Sequence, residues 1–356
     1  MTVDPNPPTP DLRPMSVLEG VRNGRLGRFL YFCVCVALIA AAYALPNLLG
    51  GSPAVYGACV TIAIFAVMAY GVDLVLSYLG EVSLGHTIFW ASGGYASAIL
   101  STHYDVNGWI TLLAAIVLTL AAAGILGWAT LRTREFVFSL VTYAAAVVAM
   151  ELTFNSDALG GSDGIVGIPR LELPLPFFTF SGRTNAELWP IAFILLALTI
   201  FFLQRFRRSR VGISALMVQM NPALATTLGL NIRRVRFIVF VISAPITAMA
   251  GWLYAYQRAY VGPDMYDAYF LVIMLTATIV VGHRILLGPL IGVSIVLLQQ
   301  DFLSVGGDGN KLILGFVLAA VLILWPSGLV GFIELLRRRW IMRSTSESLQ
   351  RSKQKD

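Results

Sequence analysis

Long apolar runs that carry no ionised side chain constrain this chain more than any other feature. Phe29 to Pro46 and Trp109 to Leu131 contain no Asp, Glu, Lys or Arg. Each is long enough to cross a hydrocarbon core, which takes about 20 residues of helix. Inside lipid the backbone amides of such a run must be satisfied within the segment, so the run folds as a helix. Composition enters only as support: 12% of residues are charged, against about 25% in a soluble domain. The sequence therefore predicts an all-α integral membrane protein.

Apolar runs divided by turn or charge signals give about ten spans: 28–46, 54–77, 83–101, 109–131, 135–154, 188–204, 236–257, 268–282, 288–304 and 311–334. The third, sixth, eighth and ninth are short or interrupted by Gly, and read as tilted, re-entrant or broken. Residues 1–27, with Pro5, Pro7, Pro8, Pro10 and Pro14, read as a disordered Pro-rich cytoplasmic tail and not as a signal peptide. Residues 28–336 form the membrane body and 337–356 a basic cytoplasmic tail.

Arginine sets the orientation, because Lys and Arg concentrate in short cytoplasmic loops. Ten crossings with the N-terminus inside place Arg132, Arg134, the Arg205 to Arg236 cluster, Arg284 and Arg337 to Arg339 in the cytoplasm. Arg170, Arg183, Arg258 and Lys311 remain outside. Both termini are then cytoplasmic, in a multi-pass membrane protein. The net charge of +6 is topology control beside membrane lipids, and no nucleic-acid partner is expected.

Catalytic classes find no footing. Lysine occurs at Lys311, Lys353 and Lys355, none inside a G-x-x-x-x-G-K-[ST] loop, so no ATP site is expected on this chain. His86, His103 and His283 lack metal-ligand spacing, and Cys33, Cys35 and Cys59 lie in apolar runs. The chain is expected to carry no catalytic residue, no metal and no cofactor.

Four constellations remain. Asp73, Glu81, Ser83, Gly85 and His86, with Gly94, form a small-residue and ionisable junction. It reads either as close helix packing or as part of a translocation pathway. Gly160, Gly161, Ser162, Asp163 and Gly164 favour a tight turn, either an ordinary solvated loop or a docking surface. Asn221-Pro222 starts a short helix that Gly229 stops, either an interfacial helix or one that inserts into a soluble partner. Gly282 and Gly288 punctuate a break between two apolar runs, as a plain turn or as part of a route.

Taken in order, these motifs resemble the permease subunits of branched-chain amino acid ABC importers, specifically the LivM type. Leu79-Gly80-Glu81-Val82-Ser83-Leu84-Gly85-His86 with Phe89 and Gly94-Tyr95 is similar to the family's G-Q-L-S-L-G-H-x-x-F-x-x-x-G-A-Y signature. Gly160-Gly161-Ser162-Asp163-Gly164 with Gly167-Ile168-Pro169 looks like its T-G-G-S-D-G-L loop. Asn221-Pro222 with Ala225 and Gly229 resembles its coupling segment. Gly251, Tyr254, Pro263 and Pro326-Ser327-Gly328-Leu329 follow at the expected intervals. Asp73 and Glu81 stand where the family usually has Asn and Gln, the customary Arg and Glu before Asn221 are missing, and His283-Arg284 replaces a Gly-rich step.

The resemblance implies a type II ABC importer-like permease for branched-chain amino acids or related small polar solutes. It implies a heterodimer with a LivH-type permease, two cytoplasmic ATPase subunits that bind ATP and Mg, and a periplasmic solute-binding protein. Leu216, Met220, Asn221, Pro222, Ala225, Leu228 and Gly229 would meet the ATPases. Gly160 to Gly164 would face the binding protein. An ion-coupled secondary transporter using Asp73, Glu81 or Glu151, and a non-transporting membrane scaffold, are the competing readings.

Overall fold

The computed structural model describes residues 25–130, 135–174, 176–282 and 284–302, with Gly309 and Phe316 as isolated positions. Residues 1–24, the C-terminal tail, His283 and the tenth predicted span apart from Phe316 lie outside the described residues, whereas Arg25 to Gly27, read with the disordered tail, are helical. Two compact units are present, Met1–Val55 and Tyr56–Asp356.

The first unit holds helix α1, Arg25–Leu48. From Val36 onward its large apolar side chains, including Leu38, Ile39 and Leu48, are exposed. A face of that kind is stable against lipid tails and not against water.

In the second unit the helices are α2 (Pro53–Leu79), α3 (His86–His103), α4 (Gly108–Thr130), α5 (Glu135–Phe154), α6 (Asn185–Arg207), α7 (Arg210–Met220), α8 (Pro222–Thr227), α9 (Ile232–Arg258), α10 (Ala268–Val281) and α11 (Gly288–Phe302). Among the described residues, α2, α4, α5, α6 and α9 are long and apolar enough to cross a membrane. Nine of the ten predicted spans coincide with helices.

Of the runs read as short, one comes out longer and another stays short but starts later. The sixth span, predicted over 188–204, extends over Asn185–Arg207 because Thr184 and Glu187 form a capping box at its start. The third begins only at His86, since residues 80–85 are not helical. By contrast α10 and α11 have 14 and 15 residues. At 1.5 Å per residue that is roughly 21–23 Å, less than the ~30 Å hydrocarbon core.

The core is α2 packed against α3 and α9. Of the apolar window of α2, 83% is buried, against 22% for α5, so α2 is surrounded by protein while α5 presents most of its surface outward. Glycine makes the central contacts possible. A Cβ on Gly93 would strike the Ala248 backbone, one on Gly251 the Trp90 carbonyl, and one on Gly71 the Thr247 hydroxyl. Backbones that approach this closely gain dispersion contact without a hydrophobic driving force, which is how helices associate in lipid. Around this seam, Trp90 and Tyr254 rings lie 4.8 Å apart, and Phe65 stacks on Phe270 at 5.9 Å.

Short strands close one end. β1 (Ile165–Val166) pairs antiparallel with β4 (Tyr260–Val261), placing Ile165 opposite Val261. β2 (Leu171–Pro174) and β3 (Thr179–Gly182) form a hairpin with Leu171 opposite Gly182. Composition and apolar periodicity carry no sign of either pairing.

Candidate functional site

At one end of the bundle, three helix breaks meet. The first is the α2–α3 junction. Gly80 leaves α2 with φ +70°, and the non-helical backbone that follows is satisfied by α5: Leu84 N–H donates to Thr142 Oγ1 at 3.1 Å, and Ser139 Oγ donates to the Val82 carbonyl at 2.6 Å. Gly85 caps the next helix, and the position requires glycine because a Cβ there would lie 2.7 Å from the Thr142 carbonyl.

The ionisable residues at this junction are buried and engaged. Asp73 accepts a hydrogen bond from Ser77 Oγ at 2.6 Å. Both His86 ring nitrogens have hydroxyl partners, Ser83 Oγ at 2.8 Å and Ser243 Oγ at 3.1 Å. The Phe89 and Phe240 rings meet the imidazole edge to face. Glu81 accepts from Arg236 on α9, in an ion pair whose side chains are 10% and 4% exposed. Arg236 also lies 6.0 Å from the Phe138 ring centroid. The sequence places Arg236 with the cytoplasmic cluster and misses this pair, because a buried Glu–Arg contact between distant segments leaves no local signal.

The second break is the α7–α8 segment. Asn221 ends α7 and caps α8, its side chain accepting from Leu224 N–H at 3.0 Å, with Pro222 in the first turn. Gly229 follows at φ +80°, and Leu230 N–H reaches back to the Ala225 carbonyl at 3.0 Å, a Schellman-type stop. Ala225 is buried and Leu216 is half-buried, whereas Met220, Leu224 and Leu228 are 76%, 57% and 62% exposed. An apolar face this open, on a helix flanked by Arg210, Arg233 and Arg234, has no partner among the described residues.

The third is the α10–α11 turn between Gly282 (φ +115°) and Gly288. Tyr70 on α2 donates its hydroxyl to the Leu286 carbonyl at 2.8 Å, drawing this turn onto the same end.

The other motif lies far away. Gly160, Gly161 and Gly164 have φ of +84°, +54° and +68°, and Ser162 Oγ donates to Asp163 Oδ1 at 3.1 Å. A Cβ on Gly164 would strike the Val261 carbonyl, so the loop is pinned to β4 beyond α9. Burial and the neighbouring Asp264 carboxylate push the Tyr260 phenol there upward. Gly94 belongs to this end, because a Cβ on it would face Met265 at 2.9 Å and Val261 at 3.5 Å. Arg236 and Arg258 are 22 residues apart on α9, about 33 Å at 1.5 Å per residue, close to the hydrocarbon thickness. The sequence-derived residues thus fall into two groups at opposite ends of one helix: Asp73, Glu81, Ser83, Gly85, His86, Gly282, Gly288 and the α7–α8 residues at one, Gly94 and the 160–164 loop at the other.

Among the described residues, no three His, Cys, Asp or Glu side chains come together as a metal site.

Residues 55–325 match the model of the branched-chain amino acid transport system permease component. LivM, a high-affinity branched-chain amino acid transport permease protein of Escherichia coli K12, is 24% identical over 89% of this chain and 78% of its own length. LivM of Salmonella typhimurium LT2 is 25% identical over 75% of this chain and 68% of its own. LivH of Escherichia coli K12 is 24% identical over 75% and 91%. No solved structure gives a match. With most of its length matched and a bundle that holds five helices long and apolar enough to cross a membrane, the chain belongs to the permease components of branched-chain amino acid transport systems.

Proposed function

We propose that this chain is one permease half of an ABC importer for branched-chain amino acids or related small polar solutes in a bacterial inner membrane. It pairs with a LivH-type permease to enclose the route, and takes its energy from two cytoplasmic ATPases that bind ATP and Mg. Its solute arrives on a periplasmic binding protein. In this reading the bundle is a ten-helix, type II importer-like permease over residues 28–336, with the tails 1–27 and 337–356 in the cytoplasm.

The exposed apolar face of α7–α8 carries the reading. Met220, Leu224 and Leu228 sit on a capped, Arg-flanked segment, and that segment meets the α2–α3 and α10–α11 breaks through Gln219, which lies against Gly80 and accepts from Arg284. A helix that inserts this face into a groove of a soluble ATPase would bury it, and its displacement would reach the breaks directly. The 160–164 loop, about 33 Å away along α9, would face the binding protein. Asp73, Glu81, Ser83, His86, Gly85, Gly94, Gly282 and Gly288 would then shape or support the route between the two ends.

Ala223 is exposed on α8, so Ala223→Glu places an uncompensated charge on the docking face without touching the core. The variant is expected to keep its helical content and lose co-purification with the two ATPases when all subunits are co-expressed. Normal assembly and normal uptake by Ala223→Glu would overturn the assignment of this face.

A further inference from the structure

Arg284 stands where the three breaks touch. α2 stops at Gly80, which leaves the carbonyls of its last turn without intrahelical donors. Arg284 takes one of them: its Nε–H donates to the Ser77 carbonyl at 3.2 Å. Its backbone N–H donates to Ser77 Oγ at 3.1 Å, and that hydroxyl in turn donates to Asp73 at 2.6 Å. Its Nη2 then reaches across to Gln219 Oε1 on α7. Gln219 lies just before the Asn221 joint, with its side chain across Gly80: a Cβ there would stand 3.1 Å from Gln219 Cγ.

The backbone adds an independent sign. Arg284 has φ +65°, a left-handed conformation in which a side chain is disfavoured and glycine is not. A turn needing only this geometry would be better served by glycine. What arginine supplies is the set of bonds to α2 and α7, made by a side chain that otherwise reaches solvent. Strain of this kind persists where surrounding contacts over-determine it.

We propose that Arg284 is a positioning residue that fastens the α10–α11 turn to the end of α2 and to Gln219, so that displacement of α7–α8 is carried into the α10–α11 hairpin. The inference rests on the reading of α7–α8 as the ATPase contact. Tyr70 holds the same turn from α2 through Leu286, which leaves the fold anchored when the Arg284 link is cut. Within the hairpin, Gly292 packs on the Ala277 backbone, so the two short helices move as a body.

The test uses the complete assembly in nanodiscs and proteoliposomes, with leucine as the transported probe. Arg284→Gly keeps the left-handed turn and removes the link; Gln219→Leu removes it from the other side. Arg284→Gly is expected to assemble and hydrolyse ATP at the basal rate, while in both variants uptake per ATP falls by about two- to thirty-fold, the span of coupling-network substitutions. The double variant should fall no further. On a background with Cys33, Cys35 and Cys59 replaced by Ala, Gln219→Cys with Arg284→Cys should lose coupling and regain it when a short thiol crosslinker joins the pair. Wild-type uptake per ATP in Arg284→Gly, failure of Arg284→Gly to assemble, a further loss in the double variant, or no recovery on crosslinking would each overturn the proposal. Failure of the ATPase reading is seen separately, in the wild-type arm, as uptake independent of the ATPases.

Discussion

The Glu81–Arg236 pair gives the sharpest energetic expectation. Both side chains are at least nine-tenths buried, so solvent screens them little, and removing one partner strands a charge in a low-dielectric site. That loss costs about 3–5 kcal/mol for a fully buried pair, and Glu81→Leu is expected in this range. Glu81→Gln keeps a carbonyl that can accept from Arg236 and loses only the charge assistance, about 1–3 kcal/mol. The Phe138 face, 6.0 Å from the guanidinium, retains some stabilisation of the cation, about 0.5–2 kcal/mol, and pulls both values toward the lower end. Glu81→Leu with Arg236→Met replaces both charges by apolar groups and is expected within about 1 kcal/mol of the parent. The cycle should therefore show coupling of at least about 2 kcal/mol. Unfolding by SDS in mixed micelles, followed by far-UV circular dichroism, reads these differences. A Glu81→Leu cost under about 0.5 kcal/mol, the size of an exposed pair, would refute a desolvated bridge. So would a double variant no more stable than the worse single one.

Three further outcomes follow from the packing. Gly93→Leu forces a side chain into the Ala248 backbone and should abolish folded protein in size-exclusion profiles, whereas Ser97→Ala should be tolerated at a cost of about 1 kcal/mol for one buried hydrogen bond to the Gly93 carbonyl. Asn221→Ala removes the cap on α8 and should cost about 1 kcal/mol of local stability, read as faster amide exchange at Leu224 with the rest of the bundle unchanged; Asn221→Asp should preserve protection. Gly164→Ala strains a φ of +68° and strikes the Val261 carbonyl, so the β1–β4 pairing should open and limited proteolysis should cut near residues 160–167.

Much of this fold is legible because membrane burial writes itself into sequence as uninterrupted apolar runs. The charge-free stretch from Trp109 becomes α4, and the cap and stop around Pro222 are readable because Asn221 and Gly229 act on their own neighbours. What escapes are features made by distant residues. Ile165 meets Val261 across nearly a hundred positions, and two-residue strands have no periodicity to detect. Arg236 looks like its neighbours Arg233 and Arg234, although its position on α9 turns it inward to Glu81 while theirs remains more open. Arg284, counted in sequence only as a topology charge, is also bonded to two helices. In each case the chemistry depends on the partner, and the partner is fixed by packing. The length of α6 escapes for a different reason: its capping box lies among polar residues outside the apolar window.

The central claim, that this permease moves solute by the work of partner ATPases, is tested most directly by uptake of radiolabelled leucine into proteoliposomes. The full assembly of both permeases, both ATPases and the binding protein should accumulate label only with enclosed ATP and Mg, at the face carrying the ATPases. Accumulation driven by a proton or sodium gradient with the ATPases left out would contradict it.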